Sequence, residues 1–370
     1  MVTKTNCVVP ADVLEGFMRD VFIKMGVPAD EASLSAEILI TSDLRGIESH
    51  GIGRLKMYYD RIKQGVQYPT TEYEIVRESP TTAVIDGHHG MGQVIAKRSM
   101  QMAIDKARQY GMGAVAVRNS SHFGIAGYYP LMAVKAGMIG MAFTNARPSI
   151  APTFGVKPML GTNPIAFGCP TDEECPFLYD AATSIIQRGK LEVLARLEKP
   201  AHAGWVVDQS GSFLIDPNQC LSGFGKETAA LLPLGGAGEE MGGHKGYGLA
   251  TIVEIFSSAL QTGSFLYGLL GIDENGKPAH NCIGHFFMAM NIEAFCALGD
   301  FKKTTGSILR DLRAATLQPG SKRIYSAGEK EFENEKRIRR DGVVVVPNLL
   351  KEVRFIIDEL GMEEYRPVFF

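Results

Sequence analysis

GGAGEEMGGHKGYG, residues 235–248, places seven glycines around the pair His244-Lys245, directly before the apolar helical run LATIVEIFSSAL. Glycine lets a backbone approach a ligand or another segment closely, a helix start attracts anions, and a lysine there neutralises phosphate. The stretch therefore reads as part of a nucleotide site, or equally as a mobile surface loop or a tight helix-packing turn. No G-x-G in the chain is followed by glycine three positions later, and no G-x-x-x-x-G-K-[ST] occurs. Both of the usual phosphate-binding fingerprints are thus missing, and any nucleotide site is expected on an α/β fold other than the Rossmann or P-loop type.

Around this stretch, between about Tyr73 and Phe301, short β-branched runs alternate with helical patterns. TAVIDG (82–87), GAVAVRN (113–119), IGMAFTN (139–145), PIAFGCP (164–170) and HFFMAMNI (285–292) read as strands, and VIAKRSMQMAIDKARQYG (94–111) as an amphipathic helix. Upstream, VLEGFMRDVFIKMG, DEASLSAEILITSDLRG and RLKMYYDRIKQG carry apolar residues at helical spacing, and downstream come DFKKTTGSILRDLRAATLQ, the run VVVVP and the helix LLKEVRFIIDELG. The expected organisation is a discontinuous helical domain, 1–72 plus 302–370, around a mixed α/β (α+β) domain, 73–301.

A chain of 370 residues with 45% hydrophobic and 21% charged content has ample core for about two domains. The net charge of −3, with both signs interspersed, implies no nucleic-acid or membrane-surface partner. Cys7, Cys169, Cys175, Cys220, Cys282 and Cys296 show no C-x-x-C pairing, which suits reduced thiols better than a disulfide framework or a zinc site. The N-terminus lacks an apolar leader and no stretch is long enough to span a bilayer, so a cytoplasmic location is expected.

Several polar residues sit where chemistry is feasible. His50 and Arg54, in IESHGIGRL, share one face if a helix starts near His50. Arginine binds a planar carboxylate through two parallel bonds, and imidazole exchanges a proton on the adjacent oxygen, which is the pairing a 2-hydroxy or 2-oxo acid needs. The competing reading is a helix capped by Ser49, with His50 and Arg54 facing solvent. His122, in RNSSHFGIAGYY, follows a strand and is either a crevice residue or part of a helix entry capped by Ser120 or Ser121. Thr144-Asn145 and Gly161-Thr162-Asn163-Pro164 edge apolar runs, where they can hold a substrate oxygen or a nicotinamide amide, or simply make turns. Asp180 orients an imidazole or caps the next helix. His88-His89 reads as a hairpin turn, and His280 and His285 flank a strand without a ligand-like partner, so no metal is assigned.

Taken in order, DLRGIESHGIGRL, RNSSHFGIAGYY, MLGTNPIAFGCPT, FLYDAATSIIQRGKLEV, GWVVDQSG, LLPLGG and GGHKGYGL resemble the type 2 malate/L-lactate dehydrogenase family, over about Asp43 to Leu249, with a weaker continuation through HFFMAMNI and AGEKEF. The resemblance implies a homodimeric enzyme that uses NAD, with NADP as the alternative, on a non-Rossmann α/β fold. It implies His50 as the acid/base, His122 as a second active-site group, and Asp180 as an aid to the histidine or a cofactor contact. Arg54 is implied to bind the substrate carboxylate, with Ser49 and Thr162 beside it. The implied cofactor contacts are Ser120, Thr144, Asn145, Asp180, Ala182, Thr183, Ser184, Ile186, His244, Lys245, Gly328, Glu329 and Lys330. Two departures stand out: Ala181 where the family commonly has methionine, and KPAHAGW where it has a proline-glycine approach to the tryptophan. The implied activity is reversible oxidation of an L-2-hydroxy acid, with malate to oxaloacetate first. The alternatives are lactate, ureidoglycolate or sulfolactate oxidation and reduction of a cyclic imine such as piperideine-2-carboxylate. A regulatory protein that binds the cofactor without turnover is the rival from outside enzymology, and intact His50, Arg54 and His122 argue against it.

Overall fold

The protein is described by a computed structural model over residues 6–370. Part of the N-terminal segment in which a leader was sought, residues 1–5, lies outside them. A short strand β1 (Cys7–Val9) precedes three helices, α1 (Ala11–Lys24), α2 (Ala29–Leu44) and α3 (Leu55–Lys63). The chain then runs through β2 (Glu74–Glu78), β3 (Thr82–Asp86), α4 (Gly92–Tyr110), β4 (Met112–Ser120), α5 (Tyr128–Lys135), β5 (Met138–Thr144), β6 (Ile165–Cys169) and β7 (Phe177–Ala181). A smaller unit follows, with α6 (Arg188–Arg196), β8 (Val206–Asp208), α7 (Pro217–Gly225) and β9 (Ala229–Leu231). After α8 (Gly243–Ser258) and β10 (Ile283–Asn291), the chain closes with α9 (Leu298–Arg313), α10 (Glu329–Asp341), β11 (Val343–Val345), α11 (Pro347–Leu360) and α12 (Arg366–Phe369).

Seven strands form one mixed sheet in the order β2-β3-β4-β10-β5-β6-β7. Only β3 and β4 pair in parallel, and every other neighbouring pair is antiparallel. The sheet is centred on β10, the last of its seven strands along the chain, with His285 opposite Val117 on one side and Thr144 on the other. Both faces of the sheet are covered, which explains why its strands read as apolar runs rather than as alternating ones. On one face Ile95, Met100 and Ile104 of α4 and Tyr129 of α5 pack over Val115, Val117 and Phe287. On the other, Val253 of α8 packs over Ala116, Phe143 and Phe286.

A separate core joins the two ends of the chain. Leu14, Phe17, Met18 and Val21 of α1 pack with Leu350, Val353, Ile356 and Ile357 of α11 and with Phe369, while β1 pairs antiparallel with β11. Among the described residues no helix is long and apolar enough to cross a membrane.

The glycine-rich stretch 235–248 is a packing turn. A Cβ on Gly243 would lie 2.0 Å from the Gly236 carbonyl oxygen, and one on Gly246 would lie 2.1 Å from that of Leu234. Backbone-to-backbone contact of this kind admits no side chain. The turn delivers α8 with its first residues, His244 and Lys245, exposed.

Candidate active site

The sequence led us to expect a helix starting near His50, with Ser49 as its cap. Instead α3 begins at Leu55, and His50 lies in an irregular turn that continues into a short 3-10 segment, Ile52–Arg54. Asp43 organises this turn, because its carboxylate accepts the Ile52 backbone N–H at 2.8 Å. It also accounts for the glycine after the histidine, since a Cβ on Gly51 would sit 1.9 Å from Asp43 Oδ1. Ser49 caps nothing; its hydroxyl pairs with His50 Nδ1 at 2.8 Å. Arg54 Nε donates to the Ser49 carbonyl at 2.6 Å, and neither Nη group has a partner among the described residues. His50 and Arg54 are therefore joined by one turn rather than by one helical face. Burial pushes the Asp43 carboxyl up to about 7, against the opposing pull of the Ile52 N–H.

His122 comes to the same place from the loop after β4. Its ring stacks on that of His50 with centroids 5.5 Å apart and planes inclined by 23°. Tyr58 of α3 places its hydroxyl 2.5 Å from His122 Nδ1, and the Gly124 backbone N–H points at the same nitrogen from 3.4 Å. A backbone N–H can only donate, so this arrangement favours an unprotonated Nδ1 and a proton on Nε2. The serines before His122 do not cap its own helix. Ser121 accepts from Gly92 N at 2.9 Å and donates to Gly90 O at 2.8 Å, closing the start of α4 instead. Burial, with Arg54 adding to it, lowers the His50 imidazole to about 4. Burial first, then His50, Arg54 and Arg61, holds His122 well below its ordinary value.

Asp180 lies within β7 and does not cap the following helix. Its Oδ2 accepts the Gly127 N–H at 2.7 Å, at the entry to α5, and neither histidine bonds to it. Solvent reaches the carboxylate at the floor of a cleft of about 270 Å³ that is also lined by Arg45, Tyr325, Gly328 and Lys330. The protein packed around it raises the carboxyl to about 6, against Gly127 N–H and Arg45. Gly328, at φ +91°, starts α10. Glu329 is spent within the loop on Arg313, Arg323 and the Ser326 N–H. Lys330 lies with Nζ 4.8 Å from the centre of the Tyr325 ring and forms no ion pair with any described residue.

From the cleft the chain runs on through Ala182–Ile186, wedged between two loops. Thr183 N and Oγ1 donate to the Thr162 carbonyl at 2.9 and 3.1 Å, Ile185 N donates to Leu232 O at 2.9 Å, and Leu234 N donates to Thr183 O at 2.8 Å. This segment thus links the Asp180 cleft to the glycine turn that carries His244 and Lys245. The Ser184 hydroxyl is buried along it with no partner among the described residues. Lys245 makes no hydrogen bond or ion pair with any described residue.

Other expected contacts have their side chains engaged in the interior. Buried His285, inside β10 rather than flanking it, bonds Thr144 Oγ1 through Nδ1 and Ser120 Oγ through Nε2, both at 2.8 Å. Asn145 Oδ1 accepts the Gly284 N–H at 2.8 Å. These four side chains tie together the ends of β4, β5 and β10. His89 stacks on His280 at 3.9 Å, and no metal-binding group of three or more His, Cys, Asp or Glu occurs among the described residues. Sequence reasoning passed over Asp43, Tyr58 and Arg61. The signal for the last two was the spacing Arg54, Tyr58, Arg61, which repeats at helical intervals.

A family model described as malate/L-lactate dehydrogenase matches residues 9–354. A malate dehydrogenase of Pyrococcus horikoshii is 42% identical over 355 residues, covering 96% of both chains. An L-sulfolactate dehydrogenase of Methanocaldococcus jannaschii is 38% identical over 94% of this chain and 96% of that protein. The crystal structure of malate dehydrogenase from Entamoeba histolytica superposes with a TM-score of 0.92 at 44% identity, covering 96% of this chain and 99% of that one.

Proposed function

The chain belongs to the malate/L-lactate dehydrogenase family, and from that premise we propose that it interconverts an L-2-hydroxy dicarboxylate and its 2-oxo acid, L-malate and oxaloacetate first, with a nicotinamide cofactor. The carrying observation is a pair of stacked imidazoles beside an arginine whose Nη groups bond to no described residue. In the oxidative direction Arg54 grips the C1 carboxylate through its Nη fork, and His50 Nε2 takes the C2 hydroxyl proton. Ser49 suits His50 to that task, because a hydroxyl can donate to or accept from Nδ1 as the ring changes state. His122, held with its proton on Nε2, donates to the same substrate oxygen as charge develops on it. Bound nicotinamide supplies the acceptor for the C2 hydride. In the reductive direction His50 must carry a proton, and the negative charge of the substrate is what raises its affinity for one.

The residues present fit such a cofactor. The buried Ser184 hydroxyl, orphaned among the described residues, lies on the segment between the Asp180 cleft, which Lys330 lines, and the exposed first turn of α8 with Lys245, and neither lysine has an ion pair among the described residues. Asp180, Ala182, Thr183, Ser184, Ile186, His244, Lys245, Gly328 and Lys330 would hold it. We take it to be NAD(H), with NADP(H) as the other arm of the test. The experiment is the loss of NADH or NADPH absorbance with oxaloacetate, pyruvate and a cyclic imino acid compared side by side. Oxaloacetate should give the highest kcat/KM, and no turnover of any 2-oxo acid would overturn the reading.

Lys245→Ala is expected to weaken NADH binding by about tenfold, the worth of one charge-assisted hydrogen bond, with little effect on turnover at saturation. NADH fluorescence titration measures it. An unchanged Kd would leave the glycine stretch as a packing turn alone.

A homodimer accompanies this reading. Exposed Ile252 and Ile255 on α8, with Leu260, Phe265 and Tyr267 beyond it, make an apolar surface of the kind partners cover. Light scattering at working concentration should give twice the chain mass, and a monomeric mass would refute it.

A further inference from the structure

The mechanism leaves one cation near the histidines unused. Arg61 follows Tyr58 by three residues, so the two share one face of α3, and Arg54 stands immediately before the first residue of that helix. That face is turned to the catalytic rings, since Tyr58 reaches His122 Nδ1. The Arg61 backbone is anchored at the end of the helix, where its carbonyl accepts Val66 N at 3.0 Å and Gln67 N at 3.3 Å. Its guanidinium is partly buried, Nη1 is shut off from solvent, and no hydrogen bond or ion pair to any described residue satisfies it.

A charged fork without partners in a half-buried place is costly, and natural proteins rarely leave one so. Arg54 has no carboxylate partner among the described residues either. Burial lowers the Arg61 pKa against the opposing pull of Tyr58, Arg54 lowers it further, and both guanidiniums also act on His122. One carboxylate answers only one of these cations. A substrate with a second anionic group answers both, and a four-carbon 2-hydroxy dicarboxylate carries its two charges at opposite ends.

We propose that Arg61 receives the distal anion of the substrate, a C4 carboxylate or an equivalent sulfonate, and so sets the preference for dianionic over monoanionic 2-hydroxy acids. This rests on the 2-hydroxy acid reading above. Arg54 then places C1 and C2 against His50, while Arg61 holds the far end of the molecule.

The test compares wild type, Arg61→Met and Arg61→Lys in reduction of oxaloacetate and of pyruvate. Melting temperatures are recorded for each protein, and calorimetric binding of succinate and propionate is measured with NADH present. Arg61→Met should lower the oxaloacetate-to-pyruvate ratio of kcat/KM by at least about tenfold, chiefly through KM, because a charge-assisted bond is lost. Arg61→Lys should fall between, and succinate binding should weaken relative to propionate by a similar factor. An unchanged ratio in a variant that melts like wild type overturns the proposal, and the buried, unpartnered Gln67 Oε1 would then mark a water-bridged structural role. If Arg61→Met does not fold, the ratio in Arg61→Lys decides by the same criterion. If wild type reduces neither acid, the 2-hydroxy acid reading fails on its own, and the succinate-to-propionate comparison still decides whether Arg61 binds a distal anion.

Discussion

His50→Ala is expected to cut kcat for malate oxidation roughly 100-fold or more while leaving the Kd for NADH close to wild type, because a positioned general base contributes about that factor. The neighbouring ring should not replace it. His122 has its Nδ1 committed to Tyr58 and Gly124, so its free Nε2 carries a proton and cannot accept another. The pH profile separates a catalytic loss from a structural one. Burial and Arg54 hold His50 at about 4 in the free protein, so wild-type kcat/KM for oxidation should stay level on its account near neutrality and fall as pH drops through that value. Residual activity of the variant should lack that acid limb. Turnover at the wild-type level would move the proton transfer to His122 and leave His50 as a stacking partner.

Arg54→Lys should reduce kcat/KM for oxaloacetate by at least about tenfold, although the charge is kept. A lysine has neither the planar pair of donors that a carboxylate meets bidentately nor the Nε that ties this side chain to the Ser49 carbonyl. Substrate would then be held by a single mobile contact, and a displacement of about 1 Å at the reacting carbon costs on the order of 100-fold. NADH affinity should hardly change. The loss should be distributed over KM and kcat, since the clamp both binds and orients. Steady-state kinetics with oxaloacetate and pyruvate measure it. Unaltered efficiency would remove Arg54 from the substrate site and with it the residue basis for choosing a 2-oxo acid.

Much of the fold was written locally. The apolar runs 82–87, 113–119, 139–145 and 164–170 all became sheet strands, and the 94–111 pattern became α4, because hydrophobic period and β-branched content act within a few residues of chain. The missing glycine fingerprint was legible in the same way, as was the ordered set of motifs that placed the chain in its family. Local signals did not convey which strand lies at the centre. β10 pairs with β4 and β5 across more than a hundred residues of chain, and apolar pattern alone carries no address for a distant partner.

The site divides along the same line. His50, Arg54 and His122 could be named from their motifs, since their chemistry is a property of residue type. That the two rings stack and that Tyr58 biases the tautomer of one followed only from bringing the end of β4 against α3, whereas Ser49 meets His50 within a single turn of chain. Ser120 and Thr144 show the reverse case. A hydroxyl at the end of a strand reads the same in sequence whether it faces a ligand or a buried histidine, and the arrival of His285 on β10 committed both to the interior. Composition and short-range spacing carry the family, most strands of the sheet and the candidate reactive groups, because these act within a few residues of chain. The partners and burial of those groups come from the fold, because they depend on which distant segments exclude water from one another.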